Sequence, residues 1–150
     1  MKKFQFSLDS VLSYKQQVFD ALQGEYAAIL LQVRGQEEKL EAVKKEYHDY
    51  NDEYCRRKTE GLTITDAMMY QNGLRVLEKD IERETEKLAE LRRKEEDKRS
   101  EVIEAKKETA SLEKLKDKKF EVYQKAVQKS EEVFVEEFVL SARARSSASA

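Results

Sequence analysis

Apolar and aromatic side chains recur with strict 4-3 spacing through the first third of the chain. Twelve of fourteen positions in this stripe are apolar or aromatic, although only 39% of the chain is hydrophobic. A register held over so many turns is typical of one long helix whose stripe packs against a partner helix. The positions are Leu8, Leu12, Lys15, Phe19, Leu22, Tyr26, Ile29, Val33, Gln36, Leu40, Val43, Tyr47, Tyr50 and Tyr54.

A second long helix is predicted after a break at residues 61–64. Gly61 can adopt the left-handed conformation that ends a helix, and Thr63 followed by Asp66 is typical of a helix start. The predicted helices therefore cover about residues 8–60 and about residues 65–140. The second stripe has charges at three positions and changes register after Leu112. It reads Tyr70, Leu74, Leu77, Ile81, Glu84, Leu88, Leu91, Glu95, Lys98, Val102, Ala105, Thr109 and Leu112, then Phe120, Tyr123, Val127, Phe134 and Phe138.

Two long helices joined by a short break predict an all-α fold, an antiparallel two-helix coiled-coil hairpin. We expect it to form a single domain over residues 1–141. Pairing around the break places Leu8 near residue 118, so the second helix should extend past the first as an apolar C-terminal overhang that requires a partner. Residues 142–150 have no apolar stripe and are expected to be disordered.

Composition supports this interpretation and argues against most chemistry. The chain has no proline, 40% charged residues and a formal net charge of −2, which is typical of long helices and not of a dedicated nucleic-acid binder. His48 is the only histidine and Cys55 the only cysteine, and both are interpreted as passive helix-surface groups. No phosphate-binding loop or metal-ligand pattern is present, so we expect no enzyme activity, no cofactor and no metal.

The same reasoning addresses the location of the protein. No run of about 18 apolar residues predicts a membrane-spanning helix, and the basic start lacks the apolar stretch of a secretion signal. We therefore expect a soluble cytoplasmic protein.

Three tyrosines at the end of the first helix form an unusual part of the stripe. Tyr47, Tyr50 and Tyr54 lie where leucine and isoleucine are more common, and they suit a surface that is partly apolar and partly hydrogen-bonding. Simple packing within the stripe is the alternative interpretation. Gly73 would face these tyrosines across the hairpin, and we expect it to leave a hollow beside them.

Several segments resemble members of the FliJ family, the soluble flagellar type III export proteins. Residues 3–12 resemble the start of Gram-positive-type members. Residues 49–54, the Gly61–Leu62 break, residues 70–81 and residues 112–120 are similar to the family in the same order. The chain differs from some relatives at Gly73, where they carry a bulky aromatic residue, and at Glu84.

The resemblance implies an antiparallel coiled coil similar to the central stalk of rotary ATP synthases. It implies three partners: the hexameric flagellar export ATPase, the membrane export gate protein and the export chaperones. It also implies a location at the inner face of the cell membrane, at the flagellar base. The gate would bind near the turn, at Tyr47, Tyr50, Tyr54, Leu74 and Leu77. The ATPase ring would bind the terminal end, at Phe4, Phe6, Leu8, Phe120, Tyr123, Val127, Phe134 and Phe138.

Three other functions fit the same pattern of long helices. A prefoldin-like holdase chaperone would bind unfolded clients through exposed apolar ends. A purely structural coiled-coil spacer would need no specific partner. A stalk from a virulence secretion system would work in the same way, but the flagellar-like start of the chain disfavours it.

Overall fold

A computed structural model describes residues 2–149, and the described chain contains two long helices and no strand. Helix α1 spans Asp9–Glu60 and helix α2 spans Ile64–Ala148. The helices pack against each other, which confirms the predicted all-α class. The contacts within the chain divide it into two units. One unit is Asp20–Ile103, and the other combines the chain up to Phe19 with the chain from Glu104 onward. Both units use α1 and α2, so the prediction of one domain over residues 1–141 stays a prediction.

The predicted apolar stripes form the packed face of each helix. All fourteen positions of the first stripe except Leu8, which lies just before α1, are buried or half-buried. In the Asp20–Ile103 unit, Val33, Leu40 and Leu88 form a small core. Ile29, Ile81 and Leu91 pack around it. Burial is confined to this narrow stripe because each helix has a single neighbour in this unit.

Polar contacts across the stripe show that the helices of this unit run antiparallel. Glu25 accepts a bond from Lys98 at 2.9 Å, and Tyr47 donates to Glu78 at 3.3 Å. Between these two pairs, Arg92 donates to Glu37 at 3.2 Å. Positions on α2 fall as positions on α1 rise, which is the signature of antiparallel pairing. The two ion pairs among these contacts, Lys98 with Glu25 and Arg92 with Glu37, lie at the surface and contribute little to stability.

One buried polar layer interrupts the core of this unit. Gln36 donates hydrogen bonds from its amide nitrogen to the backbone carbonyl of Glu84, at 3.1 Å, and to the Glu84 carboxylate. The hydrogen bond from Gln36 is the main reason that the pKa of the Glu84 carboxyl lies below its usual value. A single polar layer in an apolar stripe disfavours other registers between the helices. Sliding one helix along the other would leave Gln36 and Glu84 without their hydrogen-bond partners.

The connection between the helices has the geometry that the sequence predicts. Gly61 adopts a φ of 103°, a conformation that other residues rarely adopt. The Thr63 hydroxyl accepts a hydrogen bond from the Asp66 backbone N–H at 3.2 Å, so Thr63 caps the start of α2. The Arg57 guanidinium, in the last turn of α1, lies 4.0 Å from the Asp66 carboxylate across the connection.

The end of α2 differs from the sequence prediction. We expected the helix to end near residue 140 and residues 142–150 to be disordered, but α2 continues to Ala148. Alanine and arginine are strong helix formers, and the segment contains no glycine or proline to end the helix. Serine hydroxyls in its last turns also bond back to main-chain carbonyls, as Ser147 does to Arg143 at 3.2 Å. A missing apolar stripe predicts exposure, and it does not by itself predict disorder.

No helix within residues 2–149 has the length and apolar content needed to cross a membrane.

Candidate functional site

The tyrosines beside the turn form a packed cluster within the Asp20–Ile103 unit. The ring of Tyr70 on α2 stacks on Tyr54 of α1 at a centroid distance of 5.2 Å. The same ring lies 5.2 Å from that of Tyr50 in a tilted arrangement. Tyr70 therefore joins two tyrosines that are one helical turn apart on α1. Aromatic pairs of this kind contribute roughly 0.5–1.5 kcal/mol beyond the apolar area that they bury.

The space beside Gly73 is filled, which corrects our expectation of a hollow. A methyl group at Gly73 would lie 2.5 Å from the Tyr50 hydroxyl and 2.6 Å from its ring. The Tyr50 ring therefore lies directly against the bare backbone of α2. Its hydroxyl donates to the Met69 carbonyl at 3.4 Å. Glycine at position 73 is the reason that a tyrosine fits opposite it.

Hydrogen bonds to glutamates hold the hydroxyls of Tyr47 and Tyr70. Tyr47 donates to Glu78 at 3.3 Å, and Tyr70 donates to Glu53 at 3.2 Å. Partial burial raises the pKa of both phenols, and the nearby carboxylate raises it further in each case. Both tyrosines therefore remain neutral hydrogen-bond donors at physiological pH.

The residues predicted to bind the gate lie mostly in the contact between the helices. Tyr54 is only 5% exposed, its hydroxyl accepts a bond from Gln71 at 3.4 Å, and the Lys58 ammonium lies 4.1 Å from its ring centre. Tyr47, Tyr50, Leu74 and Leu77 are half-buried. The structure thus places all five predicted residues near the turn. They form part of the packed stripe between the helices and not an open surface.

Four exposed apolar residues near the turn were missed by the sequence reasoning. They lie on α2 beside the tyrosine cluster: Ile64, Met68, Met69 and Val76. Ile64 is 82% exposed and Met69 is 65% exposed. The stripe pattern places these four positions on the solvent-facing side of α2. The sequence signal that could have identified them is that all four side chains are apolar.

The second unit contains an aromatic cluster that joins the N-terminal lead-in to α2. The ring of Phe4 meets that of Phe120 edge-on at 5.1 Å and lies 5.5 Å from that of Tyr123. Tyr123 donates a hydrogen bond to the Lys2 carbonyl at 2.7 Å. Phe6 is buried, and Lys116 forms an ion pair with Asp9 at 2.9 Å. The lead-in is thus held on α2 by both ring packing and polar contacts.

The remaining predicted ATPase-binding residues are increasingly exposed along α2. Leu8 is exposed at the start of α1, and Val127 is half-buried. Phe134 and Phe138 are 69% and 68% exposed, respectively. Every described residue after Val127 is exposed. The structure therefore separates the eight predicted residues. Phe4, Phe6, Phe120 and Tyr123 lie where the lead-in packs on α2, although Phe120 is still 41% exposed. Of the other four, Leu8, Phe134 and Phe138 are exposed and Val127 is half-buried.

The terminal segment, which we define as residues 128–148, carries apolar side chains around much of its circumference between residues 133 and 140. Phe134 and Phe138 continue the direction of Tyr123 and Val127 at helical spacing. Exposed apolar residues also occupy both flanks of that line: Val133, Val135, Val139 and Leu140. One neighbouring helix covers only a narrow stripe, so this segment offers more apolar surface than a single helix partner would bury.

The described residues offer no metal site. They contain no group of three or more histidine, cysteine or acidic side chains placed to hold a metal ion. The His48 imidazole lies 3.8 Å from the Asp52 carboxylate on the surface of α1. Cys55 is an exposed free thiol.

A comparison with protein-family models matches residues 4–148 to the family described as flagellar FliJ protein. The chain belongs to the FliJ family. Membership in the FliJ family connects this fold with flagellar protein export, and it confirms the resemblance seen in the sequence. The matched range includes both the tyrosine cluster near the turn and the terminal segment of this FliJ chain. Comparisons with curated proteins and with solved structures find no significant match.

Proposed function

We propose that this FliJ-family protein is a non-enzymatic stalk and adaptor of the flagellar type III export apparatus. It binds the export ATPase ring through the terminal end and stimulates ATP hydrolysis, and it binds the membrane export gate near the turn. It also binds export chaperones. Its framework is the predicted antiparallel hairpin, with the second helix extending beyond the first. It works in the cytoplasm, attached peripherally to the membrane at the flagellar base.

The exposed terminal segment is the observation that carries this proposal. Phe134 and Phe138 project from a helix that has no neighbour after Val127 among the described residues. Apolar surface of this extent is typical of a binding site, because leaving it in water is unfavourable by about 25 cal/mol per Å². A ring-shaped partner can surround such a helix on several sides.

ATP hydrolysis by the purified flagellar export ATPase tests the proposal. We expect the wild-type chain to stimulate hydrolysis with saturation near about one chain per six ATPase subunits, as expected for one stalk in a symmetric ring. The variant Phe134→Gln/Phe138→Gln should lose most of the stimulation and keep its helix content, because both side chains are exposed. Ring binding would be refuted if the wild-type chain neither stimulates ATP hydrolysis nor co-migrates with the ATPase in size-exclusion chromatography.

A matched control variant is available on α1. Leu30 and Leu31 are also exposed apolar residues, and they lie far from the terminal segment in sequence. Leu30→Gln/Leu31→Gln should stimulate the ATPase as the wild type does. If both double variants lose stimulation equally, general surface polarity and not the terminal segment would be responsible.

A holdase chaperone is the second candidate, because the exposed terminal segment also suits unfolded clients. Suppression of aggregation of several unrelated unfolded proteins, lost in Phe134→Gln/Phe138→Gln, would favour the holdase. Effects restricted to the export ATPase would favour the stalk. A structural spacer predicts neither effect.

A further inference from the structure

The terminal segment carries one acid and one base on the same side as its two phenylalanines, which we call the phenylalanine face. Phe134 and Phe138 are 69% and 68% exposed. Glu131 lies seven residues before Phe138 and Arg145 lies seven residues after it, so both share its side of the helix. Both are exposed, and within residues 2–149 neither forms an ion pair. The face is therefore apolar at its centre, negative at one end and positive at the other.

The other five charged residues of the terminal segment lie away from the phenylalanine face. At about 100° of rotation per residue, Lys129 and Glu136 lie nearly opposite it. Glu132 and Arg143 lie behind one flank, where Glu132 accepts a hydrogen bond from Gln128 at 3.2 Å. Glu137 lies on the other flank. On the face itself, Glu131 and Arg145 are not cancelled by a neighbouring charge.

Two such faces match when the helices run antiparallel and a twofold axis passes beside Phe138. Residues equally far before and after Phe138 then lie at the same level. Glu131 of one copy meets Arg145 of the other, and Phe134 of one copy meets Ala142 of the other. An open hollow on this face is lined by Phe138, Ser141 and Ala142, among others, and its small side chains leave space for a ring.

We propose that the phenylalanine face binds a second copy of this chain as an antiparallel, twofold-symmetric pair of helices. Charge complementarity selects this occupant, because the face complements itself only when the two helices run in opposite directions. A parallel pair would place Glu131 beside Glu131 and Arg145 beside Arg145. Within one chain the two residues are about 21 Å apart along the helix, so they can pair only between chains.

Glu137 is the unfavourable element of this pair. The twofold axis brings its flank against the same flank of the second copy, so the two Glu137 carboxylates approach and repel each other. The pair also involves only about twenty residues of each helix, which is small for an obligate interface. We therefore expect a weak and reversible dimer in the micromolar range.

The dimer involves this chain alone and goes beyond the proposed function. It would cover Phe134 and Phe138, so a chain in the dimer could not offer these rings to the ATPase ring. That consequence, unlike the dimer itself, rests on the proposed function. Self-association would then hold the terminal segment out of water until the ring is available.

Sedimentation equilibrium of the full chain at physiological ionic strength tests the inference. We expect a concentration-dependent equilibrium between monomer and dimer, which Phe134→Gln/Phe138→Gln should abolish. Glu131→Lys and Arg145→Glu should each weaken the dimer roughly ten-fold, because each places like charges opposite each other. The combined variant Glu131→Lys/Arg145→Glu should restore the wild-type dissociation constant to within about two-fold, because it recreates both ion pairs with their signs exchanged.

Matched controls lie within the same segment. Lys129→Glu and Glu136→Lys make the same kinds of charge change on the opposite side of the helix, so neither should change the dissociation constant by more than about two-fold. Glu137→Gln should tighten the dimer, because it removes the repulsion between the two carboxylates. All variants should keep wild-type helix content by circular dichroism.

Three results would overturn the inference: a wild-type chain that stays monomeric at every concentration, single charge variants that leave the dimer unchanged, or a combined variant as weak as the single ones. Each result leaves the proposed function in place, since the ATPase takes no part in the measurement. Conversely, a dimer with the expected charge dependence in a chain that does not stimulate the ATPase would support the inference and overturn ring binding alone.

Discussion

At the scale of single residues, the contact between Tyr50 and Gly73 shows how one missing methyl group organises the region near the turn. The tyrosine ring fills the space that a Cβ would occupy, and it packs against Tyr70 at the same time. Glycine lowers the helix propensity of α2 at that position by about 1 kcal/mol relative to alanine. Packing of Tyr50 offsets this loss.

A double-mutant cycle at this contact separates the two effects. Gly73→Ala should stabilise the Tyr50→Ala variant by up to about 1 kcal/mol, the gain in helix propensity. In the wild-type background, Gly73→Ala should stabilise the folded chain less, or destabilise it, because the new methyl group would displace the Tyr50 ring. Thermal and urea unfolding followed by circular dichroism measure both values.

Gly24 and Gly35 are matched controls, because a methyl group at either position meets no atom within 4 Å. Alanine there should stabilise the chain in both backgrounds. Equal effects of Gly73→Ala with and without the Tyr50 ring would contradict the proposed close contact.

The Glu84 carboxyl predicts a specific dependence of stability on pH. Its pKa is lowered in the folded chain, chiefly by the hydrogen bond from Gln36, from the usual value of 4.5. The stabilisation is therefore present above pH 4.5 and is lost as the pH falls through the lowered pKa. Between about pH 5 and pH 3, the wild type should lose more unfolding free energy than Glu84→Gln. If the unfolding free energies of the wild type and Glu84→Gln change with pH in the same way, the result would argue against a stabilising hydrogen bond between Gln36 and Glu84.

At the scale of elements, each helix combines a packed stripe with local signals at its ends. The stripe decides which face is buried, whereas Gly61 and Thr63 decide where α1 stops and α2 starts. These signals act independently of the partner helix, because they concern main-chain groups within a few residues. The sequence therefore predicted the connection well.

The connection should be sensitive to both signals. Gly61→Ala should cost about 1 kcal/mol because alanine disfavours the left-handed region. Thr63→Ala should cost about 1 kcal/mol through loss of the cap on α2. Thr65→Ala is the control, since we identify no capping bond from its hydroxyl. Denaturant unfolding would show the difference, and a Thr63→Ala variant as stable as the control would argue against the cap.

At the scale of the whole molecule, the two units differ in what holds them together. Residues 20–103 combine an apolar core, a polar layer and the tyrosine cluster. The other unit relies on the lead-in, whose Phe4 packs on Phe120 and Tyr123, and its α2 ends in an exposed segment. Local opening should therefore differ between the units.

Hydrogen exchange on the full chain tests this difference. Deleting residues 2–6 should accelerate exchange of α2 amides around Phe120 and Tyr123, because the rings that cover them are lost. Exchange around Tyr54 and Leu77 should stay at the wild-type rate. Uniform acceleration along both helices would show instead that the lead-in stabilises the entire chain as one cooperative unit.

The candidate sites were predictable only in part. Residue spacing placed Phe134 and Phe138 on an exposed helix face, and it placed the tyrosines near the turn. It could not show that Tyr54 is buried or that Phe4 packs on Phe120, since these contacts join residues far apart in the chain. The exposed apolar residues of α2 near the turn, such as Met68 and Met69, were missed because the stripe pattern identifies apolar residues that pack and not those that remain exposed.

The sequence by itself determined the two long helices, their stripes and the connection between them. These features depend on periodicity, helix propensity and capping, which act over a few residues and need no knowledge of the partner. Only the tertiary structure decided which aromatic rings are used internally and which apolar residues stay accessible. That outcome depends on the register between the helices, on the space left by Gly73 and on side-chain packing between distant positions, where a shift of a single residue would change every contact.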